Sequence, residues 1–206
     1  MQNKDIDIYK YKQSGFRIDW DGKHIYIDPY QIPDDQPKAD ILFLTHDHFD
    51  HFDLASIGEI LQSDTDVIGP KTVSDLMHAN FANFRFHYAF PGEFIPLEKR
   101  ETVMDVKYCA MPAYNQSKVG PAGQPYHPKA NDWVGYVMTF GETTVYHMGD
   151  TDFVIELHAV TGIDLCLVPI SGTYVMDPAE AANAVNQIKP KIAVPMHCDA
   201  GIVGSP

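Results

Sequence analysis

Cysteine is scarce: Cys109, Cys166 and Cys198 are the only three in 206 residues, too few and too scattered to staple a fold. Their odd number leaves at least one thiol free in a monomer, which fits a reducing cytoplasm. The first ten residues alternate in polarity and offer neither a signal peptide nor an anchor. No segment approaches the ~20 apolar residues that a membrane span needs. Basic residues are also in short supply, with Lys+Arg at 15 against 28 Asp+Glu and a formal charge of −13. That balance opposes binding to nucleic-acid backbones or to anionic lipid. The chain has no G-x-G-x-x-G, no Walker pattern and no G-x-S-x-G, so Ser171 in I-S-G-T is not read as a nucleophile. Fixed-period repeats and low-complexity tracts are missing too. A chain that is 45% hydrophobic can bury one good core, and the simplest organisation is a single domain over 1–206.

Histidine, by contrast, is concentrated. Residues Thr45 to His51 read T-H-D-H-F-D-H, placing His46, His48, Asp50 and His51 within six positions directly after the apolar run Ile41 to Leu44. Imidazole and carboxylate are metal ligands, and spacing by two keeps His46 and His48 side by side on an extended backbone. Asp50 and His51 then turn toward a second position, so the cluster can hold two ions.

The surrounding pattern is of strands and helices. Asp5 to Tyr11, Phe16 to Trp20 and His24 to Asp28 read as strands, with a hairpin signal at Asp21-Gly22. Pro29, Pro33 and Pro37 break regular structure before the strand Ile41 to Leu44, and Asp53 is placed to cap a helix running to about Gln62. A strand near Val67, a helix from Thr72 to about Asn80, and strands at Phe84 to Tyr88 and Val103 to Ala110 follow. A strand pair, Trp133 to Phe140 and Thr143 to His147, turns at Gly141-Glu142. Helix, strand, helix and strand then complete the chain at Asp152 to Val160, Asp164 to Val168, Asp177 to Ile188 and Ile192 to Pro195. The long irregular stretch Pro112 to Asn131 is the length of a functional rim or mobile lid.

Two later strands also end in ligands. G-D-T-D places Asp150 after Thr143 to His147, and M-H-C-D places His197 after Ile192 to Pro195. Three strand ends thus offer six ligands. His147 is read as packing or hydrogen bonding behind the ligands. His24, His78, His87 and His158 lack partners at ligand spacing and read as surface residues.

These motifs resemble the metallo-β-lactamase superfamily, whose H-x-H-x-D-H is matched by His46, His48, Asp50 and His51, and whose later G-D-T and histidine are matched by Gly149, Asp150, Thr151 and His197. The phrasing V-Y-H-M-G-D-T-D and P-M-H is most similar to a compact branch of metal-dependent hydrolases that includes phosphorylated-ascorbate lactonases and N-acyl-phosphatidylethanolamine phospholipase D. The resemblance implies an α/β (α+β) fold, a four-layer αββα sandwich. It also implies one or two divalent ions, zinc first with manganese or iron as alternatives. Site one would take His46 and His48, site two Asp50, His51 and His197, with Asp150 bridging.

The family's third site-one histidine has no match, because P-A-Y-N puts Asn115 there. Either that site is weak or empty, or another residue reaches in, and His127 on the long loop is the candidate. Tyr114, Asn115 and Lys129 are the candidates to polarise substrate, and Asp50 to orient or shuttle a proton. The expected function is hydrolysis, by a metal-bound hydroxide, of an ester, lactone, amide or phosphodiester bond in a small molecule. An iron-containing redox enzyme of the same fold, a nucleic-acid processing hydrolase and an inactive metal-stabilised binding protein are the alternatives. The expected partner is a small-molecule substrate rather than nucleic acid or membrane, with a homo-oligomer left open. Only nine residues follow His197, where relatives commonly continue into a helix. The chain is therefore expected to be a short or truncated form, with its His197 segment held less firmly than its His46 segment and a partner subunit covering nearby apolar surface.

Overall fold

The computed structural model describes residues 5–199, apart from the side chain of Leu97. The expectations for the chain's end beyond residue 199 lie outside them. The chain forms two compact units that divide between Ala89 and Phe90.

The first unit is a six-stranded mixed sheet in sequence order. Its strands are β1 (Asp7–Lys10), β2 (Phe16–Trp20), β3 (Lys23–Ile27), β4 (Ile41–Phe43), β5 (Asp66–Gly69) and β6 (Arg85–Tyr88). β1 to β3 are antiparallel, as the Asp21-Gly22 turn requires, and β3 to β6 are parallel. Of the parallel strands, the two central ones, Ile-Leu-Phe in β4 and Asp-Val-Ile-Gly in β5, are buried throughout and apolar in near-continuous runs. Helices α1 (Leu54–Ile60) and α2 (Lys71–Asn80) cover one face. Ile57, Ile60, Val73 and Met77 join Tyr26, Leu42, Leu44, Phe52 and Val67 in one core cluster. Asp53 caps α1 by accepting from the Ala55 N–H at 3.3 Å. The helix ends at Ile60, short of Gln62, because Gln62 turns into a loop closed by its N–H on the Thr65 hydroxyl.

The second unit has another six-stranded mixed sheet, ordered β12-β11-β10-β9-β8-β7. These strands are β7 (Glu101–Val103), β8 (Val106–Pro112), β9 (Val134–Phe140), β10 (Thr143–His147), β11 (Leu165–Pro169) and β12 (Ile192–Met196). The strand expected from Val103 to Ala110 is two strands, folded back at Met104 and Asp105, whose φ angles of 44° and 70° make a tight turn. Helix α3 (Pro178–Ile188) begins where Asp177 accepts from the Glu180 N–H and Pro178 fills the first turn. The helix expected over Asp152 to Val160 is only a 3₁₀ segment, Ile155–Ala159. The Asp152 carboxylate is occupied by the loop at residues 115–117 and cannot cap a helix start. Among the described residues no helix is long and apolar enough to cross a membrane.

Candidate metal centre

In the first unit, parallel β3 and β4 end side by side, with the Asp28 N–H donating to the Phe43 carbonyl at 3.1 Å. Asp28 is wholly buried at a φ of 44°, an uncommon backbone for a residue with a side chain. Its carboxylate accepts from the Thr45 N–H (2.8 Å), from the Thr45 hydroxyl (2.6 Å) and from His51 Nδ1 (2.7 Å). A hydroxyl has one proton to give, and Thr45 gives it to Asp28. The 2.9 Å contact between His46 Nδ1 and Thr45 Oγ1 must therefore run from ring to hydroxyl. One buried carboxylate thus fixes two imidazoles with protonated Nδ1 atoms and turns both Nε2 lone pairs the other way, the arrangement that metal-binding histidines need.

The rest of the motif closes on these two rings. His46 Nε2 lies 3.1 Å from His48 Nδ1, and the His46 and His51 ring centres are 4.0 Å apart. The His51 and Phe52 N–H groups both donate to the His48 carbonyl, and this turn carries Asp50 Oδ2 to 3.9 Å from His51 Nε2. Gln13 Nε2 donates to Asp50 at 3.5 Å.

In the second unit a pair of glycines sets the geometry. An added Cβ at Gly135 would lie 2.4 Å from the Met148 carbonyl oxygen, and one at Gly149, where φ is +66°, would lie 2.7 Å from the Val134 oxygen. Only glycine lets the turn after β10 lie flat on β9, and that turn delivers Asp150. Asp150 Oδ2 is 3.2 Å from His127 Nε2 and 3.1 Å from His197 Nε2, and all three residues are buried. His197 sits at a φ of 55° just past β12, with its Nδ1 3.3 Å from the Ser171 hydroxyl. Ser171, unsuited to be a nucleophile, is placed to steer a ring. His147 Nδ1 accepts from the Gly149 N–H at 3.3 Å and so braces the same turn.

The donor set fits divalent cations. Imidazole nitrogens and carboxylate oxygens converge in buried surroundings within each unit, and the Nε2 atoms of His127 and His197 aim at one oxygen of Asp150. The residues proposed to polarise substrate meet a different geometry. Asn115 is buried, with its carbonyl accepting from His127 N–H and Nδ1 and its amide donating to Asp152 and to the Tyr174 carbonyl. That exhausts its hydrogen-bonding capacity. The Tyr114 hydroxyl donates to Glu156 at 3.0 Å, and its ring lies 4.5 Å beneath the Lys129 ammonium. Lys129 pairs with Glu156 at 2.8 Å, a contact that raises the lysine above its ordinary value. The long stretch Pro112 to Asn131 is pinned by Asp152, which accepts from the Gln116 and Ser117 N–H groups at 2.7 and 2.8 Å, and by a bridge between Val119 and Pro125.

Many known proteins are similar to this chain. A family model described as the Beta-lactamase superfamily domain matches residues 7–197. A UPF0173 protein of Pyrococcus abyssi is 33% identical over 195 residues, covering 93% of this chain and 83% of its own length. A UPF0173 metal-dependent hydrolase of Aeropyrum pernix is 30% identical over 204 residues, covering 89% and 78%. Among solved structures, a candidate metal-dependent hydrolase from Parabacteroides distasonis superposes with a TM-score of 0.84 at 29% identity, over 98% of this chain and 86% of that one. The chain belongs to the metallo-β-lactamase superfamily, with its α/β fold, and within it to the UPF0173 group, several of whose members carry the name metal-dependent hydrolase.

Proposed function

We propose that the ligands of the two units form one binuclear centre, and that the chain is a metal-dependent hydrolase of a small-molecule ester, lactone, amide or phosphodiester. One ion would take His46, His48 and His127, the other Asp50, His51 and His197, with Asp150 shared. The observation that carries this reading is the tying of ring Nδ1 atoms: Asp28 and Thr45 in the first unit leave Nε2 as the outward donor on His46 and His51. Membership of a family model that runs unbroken from 7 to 197 supports reading both units as one catalytic domain.

Divalent ions bound here, zinc by the donor chemistry, would polarise an electrophile and make a coordinated water acidic near neutral pH. Asp50 is almost fully buried and supported by Gln13, so its carboxylate holds the attacking water's proton and returns it to the leaving group. Lys129, whose side chain is 62% exposed, would meet an anionic substrate group only by exchanging its partner Glu156 for it. Cys109, Cys166 and Cys198 form no disulfide, which accords with a reducing cytoplasm.

Protein purified without added metal is assayed for metal content and then against lactone, phosphodiester and thioester panels. The expected result is two metal equivalents and hydrolysis in at least one panel, with Asp50→Asn lowering turnover by about 10²–10⁴-fold. Full metal loading with no hydrolysis in any panel, or turnover that consumes oxygen with iron bound, would overturn the reading.

A further inference from the structure

We propose that Asn115, clamped by Asp152, is a positioning residue that supplies His127 to the metal centre in place of the missing histidine at its own position. The inference rests on the binuclear reading above and adds how this chain builds the third donor of the first site. Asparagine is a poor ligand, but it can act on a ring brought in from elsewhere.

The amide of Asn115 has only one possible orientation. The His127 backbone N–H can only donate, and it lies 2.9 Å from Asn115 Oδ1, while Nδ2 faces two acceptors, Asp152 Oδ1 and the Tyr174 carbonyl, each at 2.9 Å. The atom 2.8 Å from His127 Nδ1 is therefore an acceptor, so Nδ1 carries a proton and Nε2 keeps its lone pair. That Nε2 is the atom 3.2 Å from Asp150. The Asn115 N–H also donates to the His127 carbonyl at 2.8 Å, so one residue holds the histidine at its N–H, its carbonyl and its ring. Trp133 sets the ring from the side, with centres 5.6 Å apart.

Asp152 holds Asn115 in turn. It is 1% exposed and accepts from Asn115 Nδ2, from the Gln116 and Ser117 N–H groups and from the Ser117 hydroxyl. The second aspartate of G-D-T-D thus orients a histidine donor through the loop, two residues from the first aspartate that faces it. Asp28 performs the same task for His51 directly, and in both cases a buried carboxylate determines which ring nitrogen faces the metal.

The test uses the full chain with zinc alone as probe. Long-range ¹H–¹⁵N spectra of the zinc-loaded wild-type protein, with the His127 signals assigned through His127→Gln, should show Nδ1 protonated and Nε2 metal-bound. Zinc affinity by equilibrium dialysis should fall about 10–100-fold at one of two sites in Asn115→Leu and leave the other unchanged. His127→Ala should lose one zinc equivalent. If His127→Ala keeps two equivalents, the ligand reading itself fails. If it loses one while Asn115→Leu binds as tightly as wild type, only the positioning role fails. Zinc on Nδ1 of His127, or a proton on its Nε2, overturns the role even if Asn115→Leu does not fold, since the spectrum needs no substitution at that position.

Discussion

Asp28 shows how much one buried side chain decides at the residue scale. Its two oxygens accept three hydrogen bonds that set the tautomers of His51 and, through Thr45, His46. Asp28→Asn replaces one acceptor oxygen by an NH₂ group facing donors, which either expels a bond or turns a ring over. We expect zinc affinity to fall about 10–100-fold and folding stability to fall about 1–3 kcal/mol, read by equilibrium dialysis and urea unfolding. Unchanged affinity in a folded Asp28→Asn protein would show that the rings hold their orientation without it. The sequence made the first ring of candidates legible, because H-x-H-x-D-H is a dense local signal. His147, three residues before Asp150, was legible as a residue behind the ligands, but Asp28 was not, because it lies 17 and 23 positions from its partners. Asp152 was hidden differently: it reads as a helix start until the loop that occupies its carboxylate is seen.

At the scale of elements, periodicity and turn residues identified the strands and helices, while some errors fell where a side chain was engaged elsewhere. The 3₁₀ segment after Asp152 is such a case, whereas the hairpin at Met104-Asp105 was missed for a different reason. Asp105 is a common turn former, but it lay inside an apolar run that read as one strand. The edge between β5 and β6 carries a testable electrostatic clamp. Asp66 accepts from Arg85 Nε and Nη2, both at 2.8 Å, and contacts His87 Nε2 at 2.7 Å, directly across the register pair Asp66↔Arg85. The Arg85 hydrogen bonds, foremost, hold the Asp66 carboxyl below its ordinary value despite its burial. A depressed folded-state value means the clamp contributes stability above the ordinary carboxylate range and loses it as pH falls through the folded value. Half of the Arg85 side chain is exposed, so the contribution is modest, about 1 kcal/mol at pH 7. Asp66→Asn should be less stable than wild type by that amount at pH 7, with the gap closing in acid. A gap that stays constant from pH 7 to pH 3 would mean the loss comes from packing rather than charge.

For the molecule as a whole, the proposed centre draws on both compact units, His46, His48, Asp50 and His51 from one and His127, Asp150 and His197 from the other. If the two sets hold the same pair of ions, metal binding is linked to the folding of the entire chain. A formal charge of −13 adds a general attraction for cations, which salt would screen, whereas coordination would survive salt. Zinc at about 100 times its dissociation constant stabilises by about 2.7 kcal/mol. For a domain of this size that raises the melting temperature by roughly 5–10 °C over chelator-treated protein. His48→Ala in the first unit and Asp150→Ala in the second should each remove most of that rise, and the double variant should lose little more, because both substitutions break one shared structure. Melting curves with and without zinc, in 0.5 M salt to suppress loose charge attraction, decide the matter. Should each single variant remove only part of the rise and the double variant the sum of the two losses, the units bind metal independently, and should either single variant keep the full rise, its residue is no ligand; either result means that the shared centre must be abandoned.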